Sequence, residues 1–210
     1  MRVSRKISHS GIYHIMLRGV NRQQIFFDEE DFSCFTGLLK KYKEVSGFEL
    51  YAYCIMGNHI HLLLKEGPEK TGQIFRRLGT AFASWYNMKY ERVGHVFQGR
   101  YRSEIVETQH SLLTVFRYIL RNPTAAGLCG LPQEYAYSSA REYFCHHKGI
   151  SDTRMILDLM DEKPLQEYVL TENDDICMDM ETTAHRGVTD EAALNLIIKE
   201  FGCRTPVIRR

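Results

Sequence analysis

The sequence predicts an α+β fold: a ferredoxin-like four-stranded antiparallel sheet with helices on one face, followed by a mainly helical C-terminal extension. Three observations carry that expectation. Strand-spaced and helix-spaced apolar stretches alternate along the first 125 residues. Two strand-like stretches flank a Gly57-Asn58 turn pair, which predicts a hairpin. After residue 150 the alternation gives way to an acidic stretch with short helical patterns.

Each element has its own reason. Ile12 to Leu17 reads as a strand, with Ile12, His14 and Met16 on one face and Tyr13, Ile15 and Leu17 on the other. Asp28 to Asp31 is an acidic helix start, and Phe32, Phe35, Leu38, Leu39 and Tyr42 follow at helical spacing. Phe48 to Met56 is rich in Tyr, Phe and Ile, hence a strand, and His59 to Lys65 is the second arm of the hairpin. Gly67-Pro68 breaks the chain before Ile74, Leu78, Phe82 and Trp85, a helix running to about Tyr90. A Gly-containing loop leads to a short strand near Ser103 to Glu107. The helix Ser111 to Asn122 follows, stopped by Pro123. The order strand, helix, hairpin, helix, strand, helix is that of a ferredoxin-like sheet. Tyr137-Ser138-Ser139 opens a further helix, and Glu191 to Phe201 carries the clearest helical pattern of the tail. The expected division is residues 1–149 as one functional domain and 150–210 as an acidic, helical accessory region.

Composition narrows the function classes. With 44% hydrophobic and 25% charged residues, a disordered or fibrous chain is excluded. No apolar run reaches the roughly 18–20 residues of a membrane helix. Met1 to Lys6 leads into no apolar signal core, so the expectation is a cytoplasmic protein with no membrane partner. The six cysteines, at 34, 54, 129, 145, 177 and 203, form no C-x-x-C pair and read as reduced thiols. A net charge of +1 hides an asymmetry: residues 1–150 hold 20 Lys/Arg against 13 Asp/Glu, and residues 151–210 hold 7 against 13. The basic front suits a polyanion, and the opposite charge of the acidic tail suggests that it shields that front when no polyanion is bound.

His59-Ile60-His61 is the sharpest local feature. On a strand the two imidazoles project from one face while Ile60 packs on the other. Neutral imidazole is a common metal ligand, but a hard ion also wants oxygen. The helix Ser111 to Asn122 supplies the candidate: Tyr118 and Asn122 stand one turn apart on the edge of its apolar stripe, so an Asn122 amide oxygen can complete a site with the Tyr118 phenol nearby. His14, on the first strand, can approach the site but reads as structural rather than as a ligand, and the remaining histidines receive no metal role.

These segments together resemble a known family. Gly57-Asn58-His59-Ile60-His61-Leu62-Leu63-Leu64 resembles the His-hydrophobe-His strand of the HUH single-tyrosine transposases, and Tyr118-Ile119-Leu120-Arg121-Asn122-Pro123 with Ala126-Gly127-Leu128 resembles their tyrosine helix, especially in the REP-associated group. Tyr13-His14-Ile15 with Arg18-Gly19, Asn21-Arg22 and Ile25-Phe26 is similar to the first strand and loop. Val96 to Tyr101 is similar to the segment before the last strand, and Tyr137-Ser138-Ser139 to the post-catalytic turn. The resemblance covers roughly residues 8–145. One departure stands out: the family often reads Asn-Pro-Val-Arg-Ala-Gly, and here Thr124 and Ala125 replace Val-Arg, so a basic side chain is missing where the helix exits.

The resemblance implies a DNA transposase and single-strand endonuclease. Tyr118 would attack the scissile phosphate to give a 5′-phosphotyrosine link, and His59 and His61, with Asn122, would hold Mg²⁺ or Mn²⁺. The partner would be single-stranded or hairpin DNA, and the assembly a monomer or homodimer. Tyrosine suits the role because only about one phenol in a thousand is ionised at neutral pH, a fraction that a nearby cation raises. Arg76, Arg77, Arg100, Arg102, Arg117 and Arg121, interleaved with aromatics such as Tyr101, are the expected DNA contacts, and Arg2, Arg5 and Lys6 a basic arm. Two alternatives use the same residues: a non-catalytic nucleic-acid-binding module derived from a transposase, and a metal-dependent phosphodiesterase using water as nucleophile.

Overall fold

A computed structural model describes residues 7–171. The elements are β1 (Ile12–Arg18), α1 (Glu29–Ser46), β2 (Glu49–Ile55), β3 (His59–Lys65), α2 (Thr71–Lys89), β4 (Arg102–Ile105), α3 (Gln109–Ala125), α4 (Ala140–Phe144), α5 (Arg154–Leu157) and α6 (Glu162–Leu170). The sheet is antiparallel in the order β2-β3-β1-β4, the ferredoxin-like arrangement. The Arg2–Lys6 arm and the Glu191–Phe201 pattern lie outside the described residues.

Local chemistry sets the helix limits. Asp28 and Asp31 form a capping box at the start of α1, and Gly47, at φ +67°, closes its other end. Lys89, in the last turn of α2, donates to Asp28 at 2.7 Å and to the buried Asp31 at 2.9 Å, which ties the two helices together. The helix α3 starts with a Thr108–Ser111 capping box and runs through Pro123 to Ala125, three residues beyond the expected stop. The helix closes just past the proline: Leu128 N–H donates to the Pro123 carbonyl while Gly127 adopts φ +69°.

Strand alternation divides the core in two. Tyr13, Ile15, Leu17, Ile60, Leu62 and Leu64 pack with Phe35, Leu39, Ile74, Leu78 and Phe82 of α1 and α2. Ile12, Cys54 and Leu63, on the other face, pack with Leu112, Phe116, Ile119 and Leu120 of α3. The expectation of helices on one face therefore describes α1 and α2, while α3 forms a layer on the opposite face. Its apolar stripe meets the alternate residues of the same strands.

Past residue 149, the described residues up to 171 pack onto the same core as α3. Ile156, Leu159, Leu165, Tyr168 and Val169 belong to the same core as α3. The Asp152 carboxylate accepts from the Leu50 N–H at 2.8 Å and from Lys43 Nζ at 2.8 Å. Just before it, residues 135–143 run along the outer edge of β2. Ser139 N–H donates to the Tyr53 carbonyl, and the Tyr135 and Tyr143 hydroxyls donate to the carbonyls of Ile55 and Tyr51. The β2 edge is thus covered, while Arg102 at the start of β4 is exposed. No helix among the described residues is long and apolar enough to cross a membrane. Cys34, Cys54, Cys129 and Cys145 are free thiols.

Candidate active site

The site lies on the α3 face of the sheet, where strand register gathers a row of polar side chains. His59 stands across from Arg18, His61 between Met16 and Cys54, and His14 across from Glu104. The row deepens along the sheet: His59 is half-buried, His61 is 1% exposed and His14 0%.

The hydrogen bonds define which nitrogen of His59 carries its proton. Asn58 Nδ2 donates to the Arg22 carbonyl at 3.1 Å, which turns the amide oxygen the other way. That oxygen lies 2.6 Å from His59 Nδ1 and can only accept, so Nδ1 carries the hydrogen. In neutral His59 the lone pair is therefore on Nε2, the form that coordinates a cation. For His61, burial foremost, then the neighbouring His14, His59 and Arg18, hold the imidazole pKa well below its ordinary value. It is neutral at physiological pH, again the coordinating form.

The phenol comes from above. Along Leu112 to Leu120, Tyr118 is the one position that is not buried, because the helix is packed between the sheet and α6 on its other sides. Its ring meets His61 edge-on at 5.3 Å between centroids and His14 at 6.0 Å. The rings of His59 and His61 are 5.0 Å apart. One chain thus brings Tyr118 and both histidines together. Asn122 sits one turn further along the same half-open stripe, and its Nδ2 donates to the Tyr118 carbonyl at 3.1 Å, so its amide oxygen is not the atom used in that bond.

The donor set fits a divalent ion. Among the described residues no three His, Cys, Asp or Glu side chains are gathered as a ready metal cluster. Two imidazoles and an amide oxygen are a different set, one that suits an ion intermediate in hardness and leaves positions for phosphate oxygens.

The six arginines divide. Arg76, Arg100 and Arg102 are exposed. Arg77 is engaged with Glu69, donates to Ser46 at 2.9 Å and lies over the Tyr42 ring. Arg117 is 7% exposed with its guanidinium 4.1 Å from the Tyr168 ring centre. Arg121 donates to the Thr171 carbonyl at 2.5 Å. Arg77, Arg117 and Arg121 thus have partners within the chain, and of the three only Arg117 is buried. For Arg117 the reason is α6, which covers the side of α3 that looks solvated in sequence. A groove of about 590 Å³ between α2 and residues 94–101 holds Arg76 and Arg100 beside Phe75, Phe97 and Tyr101. Met16 pairs with Arg102, which puts Arg102 on the histidine face at the open edge.

Three side chains at the site had no site role in the sequence reading. Arg18 faces the site beside His59, and its buried Nε has no hydrogen-bond partner. His14 shares a 2.9 Å hydrogen bond with His61, and Glu104 lies 3.6 Å from His14. The period-2 alternation of β1 already placed His14 and Arg18 on one face; what it lacked was the pairing with β3 and β4.

A ferredoxin-like sheet with a His-hydrophobe-His strand beneath a tyrosine-bearing helix defines the HUH single-tyrosine class. The family model described as IS200-like transposase matches residues 7–122, more than half of the chain, and the chain belongs to that family. The solved structure of a REP-associated tyrosine transposase bound to a REP hairpin is similar in fold, with a TM-score of 0.58 and 16% identity over 68% of this chain and 84% of that one. A candidate transposase from Deinococcus radiodurans R1 is 23% identical, over 57% of this chain and 95% of that one, with a TM-score of 0.40. No curated protein matches the chain.

Proposed function

We propose that this chain cuts and rejoins single-stranded DNA through a 5′-phosphotyrosine intermediate, with Tyr118 as the nucleophile. The observation that carries the reading is the convergence of the half-open Tyr118 ring with the His59–His61 pair. His59 and His61 would hold a divalent ion, Mg²⁺ or Mn²⁺, with the Asn122 amide oxygen as third donor. Such an ion would polarise the scissile phosphate and stabilise charge on its oxygens. The Tyr118 oxygen forms a bond to phosphorus, the bond from phosphorus to the 3′ oxygen breaks, and the phenolic proton ends on that oxygen as a 3′-hydroxyl. Attack by another 3′-hydroxyl reverses the step and joins new strands, so no external energy source is needed. The Arg18 guanidinium, beside His59, meets a non-bridging phosphate oxygen.

The exposed Arg76, Arg100 and Arg102 mark a path for the strand. Arg76 and Arg100 with Tyr101 and Phe97 suit backbone neutralisation and base stacking in the α2 groove, and Arg102 carries the strand around the open β4 edge to the histidines. The test uses fluorescent single-stranded oligonucleotides, with and without a hairpin, run on a denaturing gel. The wild type gives a covalent protein–DNA band that needs Mn²⁺ or Mg²⁺, and Tyr118→Phe gives none while still binding DNA. Strand cutting by Tyr118→Phe would overturn the reading in favour of a water nucleophile. DNA binding by the wild type without any cutting would overturn it in favour of a binding module.

A further inference from the structure

Glu104, His14 and His61 form a line of groups from the open edge of the sheet to the candidate metal site, and the cleavage step above uses only the last. His14 is fully buried, shares a 2.9 Å hydrogen bond between its Nε2 and His61 Nδ1, and stacks on the His61 ring with centroids 5.1 Å apart. Glu104 is its direct cross-strand partner, with Oε2 3.6 Å from His14 Nδ1.

We propose that His14, oriented by Glu104, is a positioning residue that holds His61 in the tautomer with its lone pair on Nε2. A single proton lies between His14 Nε2 and His61 Nδ1, so two neutral arrangements exist. In one, His14 carries its hydrogen on Nε2 and donates it, which leaves His61 protonated on Nε2 and unable to coordinate through that atom. In the other, His14 carries its hydrogen on Nδ1 and accepts from His61 Nδ1–H, which leaves the His61 lone pair on Nε2.

The Glu104 carboxylate selects between them. At 3.6 Å it is too far for a hydrogen bond, yet a negative charge beside Nδ1 repels a lone pair there and attracts an N–H. The second arrangement is therefore favoured. His59 reaches the same state by a different device, the Arg22-oriented amide of Asn58. The two histidines thus present like nitrogens through unrelated partners, which is the arrangement a shared cation needs.

The tautomer claim stands on the His14–His61 hydrogen bond and the Glu104 charge beside His14, while its consequence for affinity rests on the metal reading under Proposed function. Long-range ¹H–¹⁵N spectra of the apo full-length chain read the tautomer, and Mn²⁺ titration reads the consequence. The expected result is His61 protonated on Nδ1. In the titration, His14→Phe weakens Mn²⁺ binding about 10- to 100-fold, and His14→Gln, whose side-chain oxygen can still accept from His61 Nδ1–H, stays within about threefold. Should both fail to fold, Glu104→Leu at the half-exposed edge is read instead, and it moves His61 toward the Nε2–H form. His61 protonated on Nε2 in the wild type overturns the proposal, as does a folded His14→Phe chain with wild-type Mn²⁺ affinity and an unchanged His61 signature. A wild type with the expected tautomer that binds no Mn²⁺ supports the His14 role and overturns the metal reading.

Discussion

The two faces of the sheet are built from the same strands and serve different ends. Toward α1 and α2, β1 and β3 present Ile15, Leu17, Ile60, Leu62 and Leu64, all buried and apolar. Toward α3 they present His14, Met16, Arg18, His59 and His61. Because side chains alternate, a strand can supply stability from one face and chemistry from the other. Burying His14 and His61 has a cost, and the hydrogen bond between them offsets part of it. The apolar face beneath keeps the backbone carrying them rigid.

That contrast can be broken from either side. The largest expected effect is on the apolar face. Phe82 is fully buried against Phe26, Phe35, Trp85 and Phe97, so Phe82→Ala lowers unfolding stability by about 3–5 kcal/mol in denaturant titration. The yield of DNA adduct per folded molecule stays at the wild-type level. Reduced yield from the folded fraction would show that the faces are not separable.

On the polar face, His59→Ala removes a half-exposed side chain. Its expected effect on Mn²⁺ affinity, measured calorimetrically, is a loss of about 100-fold or more, with little change in Tm. Retained affinity would remove His59 from the site. A smaller effect separates the two groups of arginines. Replacing Arg76, Arg100 and Arg102 together by Ala weakens single-strand binding about tenfold and flattens its salt dependence, each lost phosphate contact removing about 0.7 from the log–log slope. Arg117→Ala leaves that slope unchanged and lowers Tm, since its cation packs on Tyr168. The reverse pattern would return Arg117 to the DNA surface.

The smallest effect is on pH dependence. The folded chain holds the His61 pKa well below its ordinary value, whereas the unfolded chain protonates histidine near pH 6.5. Protonation therefore favours the unfolded chain. The His61 contribution to stability is intact above about pH 6.5 and declines as pH falls toward the folded-state pKa. Denaturant midpoints from about pH 7.5 down to 5.5 should fall more steeply for wild type than for His61→Asn, and parallel curves would contradict the burial account.

Much of this arrangement was legible in the sequence, for identifiable reasons. The hairpin carried a turn pair between two strand-like runs, and period-2 spacing put His59 and His61 on one face. Tyr118 and Asn122 stood out by resemblance, and their spacing placed them on one helix edge. Less legible were features that depend on partners distant in sequence. Arg117 looks solvated because α6, which covers it, lies in an acidic stretch with a weak apolar pattern. His14 looks like any core histidine until β1 is paired with β3 and β4. Pro123 reads as a helix stop, although a proline in the last turn leaves only one carbonyl without its amide donor.

The central claim is that the Tyr118 oxygen is the atom that takes the DNA. Proteolysis of the covalent product followed by tandem mass spectrometry tests it most directly. The account predicts a single modified peptide, spanning α3, with a 5′-linked phosphonucleotide on Tyr118. The same nucleotide found on any other side chain, or cleaved DNA with no modified peptide at all, would contradict it.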